Sequence, residues 1–434
     1  MERLRPRFLR APWFPCLVLA TLLSHAVLAG VRTLISYRAL ALGGDAVTVG
    51  LVTGAFALLP LVVALHIGRA VDRGRGVLVV RLGLILTVAA VLVAAASPSA
   101  GFLIGASAVL GLGQILHTVA CQSLIPLWSP PEKVDDRFGQ LTLGVSAGQL
   151  VGFPVAGSVA TLTNAGATTG ERVATTPALL GIAGLAALAV PLAFWFVPAE
   201  RIRVSRADAS AVRQSTLAIL GTRGMKPAVY SSLTVLTGMD LLMAYLPLLG
   251  QSMGLGVGAV TMLLTARSVA SVVSRAAMPL LLRAVPRRAL LVSATLASGA
   301  PMALVPLTTD IVLLTVMMLV VGFFWGLGQP LTMSWVTTVA DPHNRAAALS
   351  VRLAGNRIGQ VVVPLAAGGL AGITGAGAGA IFHAGGLLLL SSALCTLVST
   401  REPPAEPGRV APSRHGVHPT DVTSRRTRRR PAGR

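Results

Sequence analysis

Only 12% of the 434 residues are charged, about half the share that soluble domains carry. With 54% of the chain hydrophobic, that shortage excludes a soluble globular protein, whose surface could not hide so many apolar side chains from water. Lysine is almost missing, with Lys133 and Lys226 the only two. Cysteine is limited to Cys16, Cys121 and Cys395, all inside apolar runs, so no disulfide framework is implied. No G-x-x-x-x-G-K-[ST] loop occurs, which removes that route to ATP as an energy source. No cysteine or histidine cluster has metal-ligand spacing, and no nucleophile motif stands out. No metal, cofactor or enzymatic activity is therefore expected.

What the chain does contain is a series of apolar runs. Covering a bilayer takes roughly 20 helical residues, and lipid requires every backbone group to be paired within its own segment. Twelve spans are predicted, near 13–37, 47–68, 77–97, 101–125, 138–162, 177–197, 227–248, 257–282, 288–306, 311–335, 346–370 and 377–398. The net charge of +21 would suggest a nucleic-acid partner in a soluble protein, but the positions of the basic residues argue against one. They gather in every second loop, while the alternate loops contain only Arg172, with Arg38 at a border. This is the positive-inside pattern, and it places both ends of the chain in the cytoplasm. The expected organisation is a cytoplasmic segment 1–12, a first half 13–197, a linker 198–226, a second half 227–398 and a disordered basic tail 399–434. The arginines ahead of the first run resemble a signal peptide, but the run is long and Val27-Leu28-Ala29 is a poor cleavage site, so an uncleaved span is expected.

A four-letter word is spelled twice. Gly-Leu-Gly-Gln occupies 111–114 and again 326–329; each copy leads to a second Gly-Gln, at 148–149 and 359–360, then to Pro154 and Gly157 or Pro364 and Gly368. An apolar chain built as two related halves suggests a transporter with its substrate site between them.

Further motifs carry a family resemblance. GRAVDRGRGVL (68–78) resembles the cytoplasmic signature of the major facilitator superfamily through Gly68, Asp72, Arg73 and, with a gap, Arg75. A degenerate second copy at 275–291 keeps Arg283, Arg287 and Arg288. Gly148, Gly152, Pro154 and Gly157 approach the family's fifth-helix motif, with Phe153 intervening. Residues 326–369 resemble bacterial efflux-like members. The resemblance implies an all-α membrane protein of twelve helices in two pseudo-symmetric six-helix bundles, with a cavity lined by helices one, four, seven and ten. It implies secondary active transport, read here as proton-coupled export of a small amphipathic compound by a monomer in the cytoplasmic membrane. Nutrient uptake and a non-transporting sensor are the alternatives. Gly68, Asp72, Arg73, Arg75, Arg283 and Arg287 read either as a cytoplasmic gate or as plain orienting charge.

Asp240 is the one carboxylate deep inside a span. A buried acid there costs roughly 2.5–3.5 kcal/mol by insertion scales, which marks a functional site by default. Aligning GVRTLISY (30–37) with GMDLLMAY (238–245) sets Arg32 opposite Asp240 and Tyr37 opposite Tyr245. Arg32 and Asp240 read as a proton-coupling pair or as a structural ion pair. Arg267 and Arg357 are alternative partners for Asp240 or ligands for an anionic substrate. Arg352, Asn356 and Gln360 form one stripe on helix eleven. Gln114, Thr118 and Gln122, with His117 beside them, mark helix four, and Trp325, Gln329 and Thr332 mark helix ten; together they suggest a substrate cavity. His117 reads either as a titrating group or as a packing residue, and His25 and His66 read as packing.

Overall fold

The computed structural model describes residues 13–164, 174–195, 216–341, 344–375 and 377–399. The expected N-terminal segment, most of the linker and nearly all of the basic tail lie outside the described residues. Among the described residues, twelve helices are long and apolar enough to cross a membrane. They are α1 (Trp13–Ala41), α2 (Ala46–Ala70), α3 (Gly76–Ala96), α4 (Ala100–Trp128), α5 (Val134–Thr163), α6 (Thr175–Phe194), α7 (Met225–Ser252), α8 (Val257–Ala284), α9 (Arg287–Leu304), α10 (Ile311–Val339), α11 (Arg345–Thr374) and α12 (Gly377–Val398). A short helix, Thr216–Gly221, precedes α7.

Several helices outrun their expected ends. The span predicted over 13–37 continues to Ala41, and the one predicted over 227–248 continues through Pro247 to Ser252. Where lipid offers no hydrogen bonds, ending a helix exposes carbonyls, so polar flanks extend it. Threonine hydroxyls inside the spans return to the carbonyl one turn back, as Thr53 does to Val49 (2.7 Å) and Thr87 to Gly83 (2.9 Å). Asp45 caps the start of α2, accepting from the Thr48 amide at 2.9 Å. That bond holds its carboxyl below the usual range. Asp310 caps α10 likewise, accepting from the Val312 amide at 2.8 Å. The α1–α2 and α7–α8 turns each need a left-handed residue, supplied by Gly43 (φ 82°) and Gly254 (φ 72°).

The two halves repeat one packing plan. In the first, α1 packs on α5 and α6, α2 on α4, and α3 on α4 and α6; in the second, α7 packs on α11 and α12, α8 on α10, and α9 on α10 and α12. Between halves, α2 meets α11, α5 meets α8, and α1 meets α7. Glycines allow the close crossings. A side chain at Gly111 would collide with the Phe56 carbonyl, and one at Gly322 with the Arg267 carbonyl.

Three arginines tie helix ends together. Arg38 donates to the Ser97 carbonyl beyond α3 (2.8 Å) and to the Thr176 hydroxyl of α6 (3.0 Å). That placement accounts for a basic residue on the arginine-poor side. Arg81 of α3 donates to the Ala193 carbonyl in the last turn of α6 (3.1 Å), with its guanidinium 4.5 Å over the Phe194 ring. Arg288 of α9 donates to the Leu397 carbonyl in the last turn of α12. The repeat thus places a cation at each terminal C-end, where unpaired carbonyls and the helix dipole favour positive charge. Arg81→Met and Arg288→Met are each expected to cost about 1–2 kcal/mol. The costs should add, because the sites lie in separate halves. Thermal unfolding of the purified protein checks this, and unchanged melting in both variants would refute it.

Candidate functional site

Where α1 meets α7, Arg32 Nη1 donates to Asp240 Oδ1 in an ion pair. Repeat-related faces of the two helices meet between the halves, so residues aligned by the repeat come together. The second oxygen, Oδ2, accepts from Gln360 Nε2 of α11 at 2.5 Å. Gln360 Oε1 accepts from Arg357 Nη1 at 3.0 Å. The Arg32 guanidinium also lies 4.7 Å over the Phe56 ring of α2. Asp240 is 3% exposed, yet both of its oxygens are satisfied, as a buried charge requires.

This network lines a cavity of about 230 Å³ whose walls come from α1, α2, α4, α5, α7 and α11. Its apolar side includes Leu28, Phe56, Met239 and Met243; its polar side includes Gln114, Thr118 and Gln149. His25 lines it too. Its Nδ1 faces the Thr21 carbonyl at 3.0 Å, so that nitrogen carries the hydrogen. Its Nε2 lies 3.3 Å from Gln114 Nε2. Gln114 Oε1 accepts from Ser24 Oγ at 3.2 Å. The wall therefore carries two guanidiniums, Arg32 and Arg357, against one carboxylate.

The other sequence-predicted residues fall elsewhere. His117 is fully buried between α1 and α4, its Nε2 3.4 Å from Thr21 Oγ1, and is not part of the cavity wall. Gln122 is exposed on α4. Trp325 is fully buried beside Gly238 of α7. Gln329 is engaged within its own half, where its Oε1 accepts from Arg352 Nη2 at 2.8 Å. Thr332 is buried and returns its hydroxyl to the Gln329 carbonyl at 3.0 Å. Asn356 is buried outside the cavity wall, and its Oδ1 has no hydrogen-bond partner among the described residues. Arg267 is 2% exposed, donates to Ser268 Oγ at 3.0 Å, and stands 5.8 Å from the centre of the Phe153 ring.

Of the residues read as a gate, Arg73, Arg75, Arg283 and Arg287 are exposed at the helix ends, and Arg287 donates to Ser334 Oγ at 3.3 Å. Gly74, between Arg73 and Arg75, takes a left-handed φ of 79°. The surroundings of Gly68 and of the Asp72 side chain lie outside what is described.

Sequence reasoning missed Gln149, His25, Phe56, Phe153 and Arg275 as site or interface residues. For Gln149 a signal was present. It ends the first Gly-Gln word as Gln360 ends the second, and both glutamines face the cavity. Arg275 lies inside α8, within the span expected over 257–282, and donates to Ser146 Oγ of α5 at 2.8 Å, a partner the sequence did not indicate.

A family profile described as Major Facilitator Superfamily matches residues 17–351 and 231–432. Among curated proteins none matches the chain. Solved structures share its architecture. The nucleoside transporter NupG superposes with a TM-score of 0.70 at 14% identity, covering 90% of this chain and 100% of that one. A POT family transporter in complex with a thioalcohol-conjugated peptide gives 0.71 at 13% identity, covering 89% and 96%. A bacterial homologue of the human lysosomal transporter Spinster, inward-facing and occupied, gives 0.67 at 16%, covering 89% and 94%. At such identities the likeness is one of fold.

Proposed function

Because the chain belongs to the Major Facilitator Superfamily, we propose that it is a proton-coupled secondary carrier moving a small amphipathic compound by alternating access, with Asp240 as its proton-carrying group. The observation that carries this reading is the Arg32–Asp240 pair, which joins the two halves at the cavity. Protonating Asp240 removes the negative charge that holds Arg32 and accepts from Gln360. The link between α1, α7 and α11 then weakens, and the halves are released to rock. The charged groups that act on Asp240 are Arg32 on α1, Arg357 on α11 and Arg267 on α8, and the titratable His25 faces the same cavity from α1. The cavity's mixed walls suit an amphipathic ligand. The arginine pattern supports cytoplasmic ends, which would set Arg73, Arg75, Arg283 and Arg287 at the cytoplasmic mouth. We assign the protein to the cytoplasmic membrane as a monomer.

Export is the direction indicated by the likeness of residues 326–369 to efflux-like members. Uptake is the second reading, and the direct pairing of Arg32 with Asp240 favours it. A proton on Asp240 frees Arg32 for an incoming ligand, so proton and ligand bind together rather than in exchange. Everted vesicles carrying the protein and a pH-sensitive dye test both. A transported compound added outside should move protons across the membrane, and the sign of the dye response distinguishes exchange from co-transport. If no compound in a broad toxic and nutrient panel moves the dye or accumulates in an uncoupler-sensitive way, the carrier reading fails.

A further inference from the structure

Five arginines are largely buried within the helices: Arg32, Arg267, Arg275, Arg352 and Arg357. Among the described residues, Asp240 is the single carboxylate set among them. Its two oxygens are committed to Arg32 and Gln360. Arg275 and Arg352 are held by neutral acceptors, Ser146 and Gln329. Arg357 lines the cavity and donates to Gln360; Arg267 donates to Ser268. Neither Arg357 nor Arg267 has a carboxylate within ion-pair distance among the described residues, and Arg267 Nε has no partner there at all. Buried charges in proteins are normally paired. Here the chamber wall holds more positive charge than the described residues neutralise.

We propose that the missing counter-charge is the substrate's, and that the cavity binds a small organic anion through a carboxylate or phosphate group. This rests on reading the cavity as the substrate chamber. Arg357 is placed to take the acid group. Its planar fork matches a carboxylate or phosphate in bidentate fashion. Arg32 becomes a second ligand when it leaves Asp240. The body of the anion lies against Leu28, Phe56, Met239 and Met243. Asp240 and the bound anion thus compete for Arg32. A cationic ligand would meet the wrong sign of charge, with its one attractive group already occupied.

The test measures binding rather than transport, so it is independent of proton coupling. The full chain in phosphatidylcholine nanodiscs is titrated with benzoate, phenyl phosphate, benzamide and benzylamine, and its melting temperature is followed. Benzoate or phenyl phosphate should raise the melting temperature, and the stronger of the two identifies the acid group. Arg357→Gln should weaken that anion about tenfold or more, the scale of one charge-assisted bond, whereas Arg357→Lys should retain part of the affinity. Asp240→Asn, which frees Arg32, should tighten it several-fold. A merely structural Asp240 would not produce that gain. The proposal is overturned if benzylamine or benzamide stabilises as well as the anions, if neither anion has an effect, or if Asp240→Asn weakens anion binding. A protein that binds benzoate but shows no proton movement would sink the coupling mechanism and leave this inference standing; the reverse result would do the opposite.

Discussion

Asp240→Asn is expected to abolish uphill transport while leaving the binding chamber intact. The amide cannot carry a proton between the two sides, so flux should fall to the level seen with an uncoupler and lose its dependence on a pH gradient. The substitution also strands Arg32. Removing one member of a buried ion pair costs about 3–5 kcal/mol, because the other charge stays behind. The melting temperature should therefore drop. Arg32→Gln combined with Asp240→Asn should recover part of that loss, with a coupling of roughly 0.5–3 kcal/mol in a double-mutant cycle. Downhill exchange of labelled for unlabelled substrate should survive in Asp240→Asn. Proton-driven accumulation persisting in this variant would mean that the proton travels elsewhere.

Gly50→Val should produce the second large effect, by preventing one end of the molecule from closing. At the crossing of α2 and α11, a Cβ on Gly50 would stand 2.6 Å from the Pro364 carbonyl oxygen and 2.7 Å from the Tyr245 hydroxyl oxygen. Gly368 faces the same point from the other helix, its Cβ position 2.7 Å from the Ala46 carbonyl oxygen. Tyr245 completes the crossing, its hydroxyl 3.2 Å from the Ala46 carbonyl and 3.1 Å from that of Pro364. Backbone has no way to yield there as a flexible side chain would. Overpacking of this kind costs about 1–3 kcal/mol, and a bias of that size shifts a two-state equilibrium roughly 5–150-fold. Transport should fall accordingly. A cysteine at Ala46, in a background with Cys16, Cys121 and Cys395 replaced by alanine, should react faster with a water-soluble maleimide. If Gly50→Val leaves both rates unchanged, this crossing is not part of the cycle.

The repeat made much of this molecule legible before any coordinates. It placed Arg32 against Asp240, because aligned residues on α1 and α7 meet where the halves face each other. It was a poorer guide to helix ten. Gln329 repeats Gln114, but Gln114 is drawn into the chamber by Ser24 and His25, while Gln329 is captured by Arg352 within its own half. Internal symmetry relates backbones, and a neighbouring guanidinium is enough to turn one of two twin side chains away. Hydropathy located the spans, yet it did not show the contacts of Arg81 and Arg288, since a cation in the first turns of a helix does not reveal that it reaches a neighbouring helix's last turn. The Arg275 contact was hidden for a different reason: its Ser146 partner belongs to the other half of the chain.

The two tyrosines aligned by the repeat have unequal duties. Tyr245 spans the α2–α11 seam, but the buried Tyr37 hydroxyl has no partner among the described residues. Thr261 stands where the repeat would place a second Gly50, and its hydroxyl closes onto its own helix at the Val257 carbonyl (2.9 Å). One seam is riveted by a hydroxyl shared between backbone carbonyls of two helices; at the other, Thr261 wedges against Gly157 and the cross-seam tie is a long guanidinium, Arg275 on Ser146. A long flexible guanidinium can follow a moving partner, whereas a ring hydroxyl fixed on two backbones cannot, so the molecule should part like a hinged book, with the α5–α8 edge leading and the α2–α11 edge as its spine. Spin labels across the two edges should show the wider distance spread on the α5–α8 side, and Tyr245→Phe should widen the spread at the α2–α11 edge.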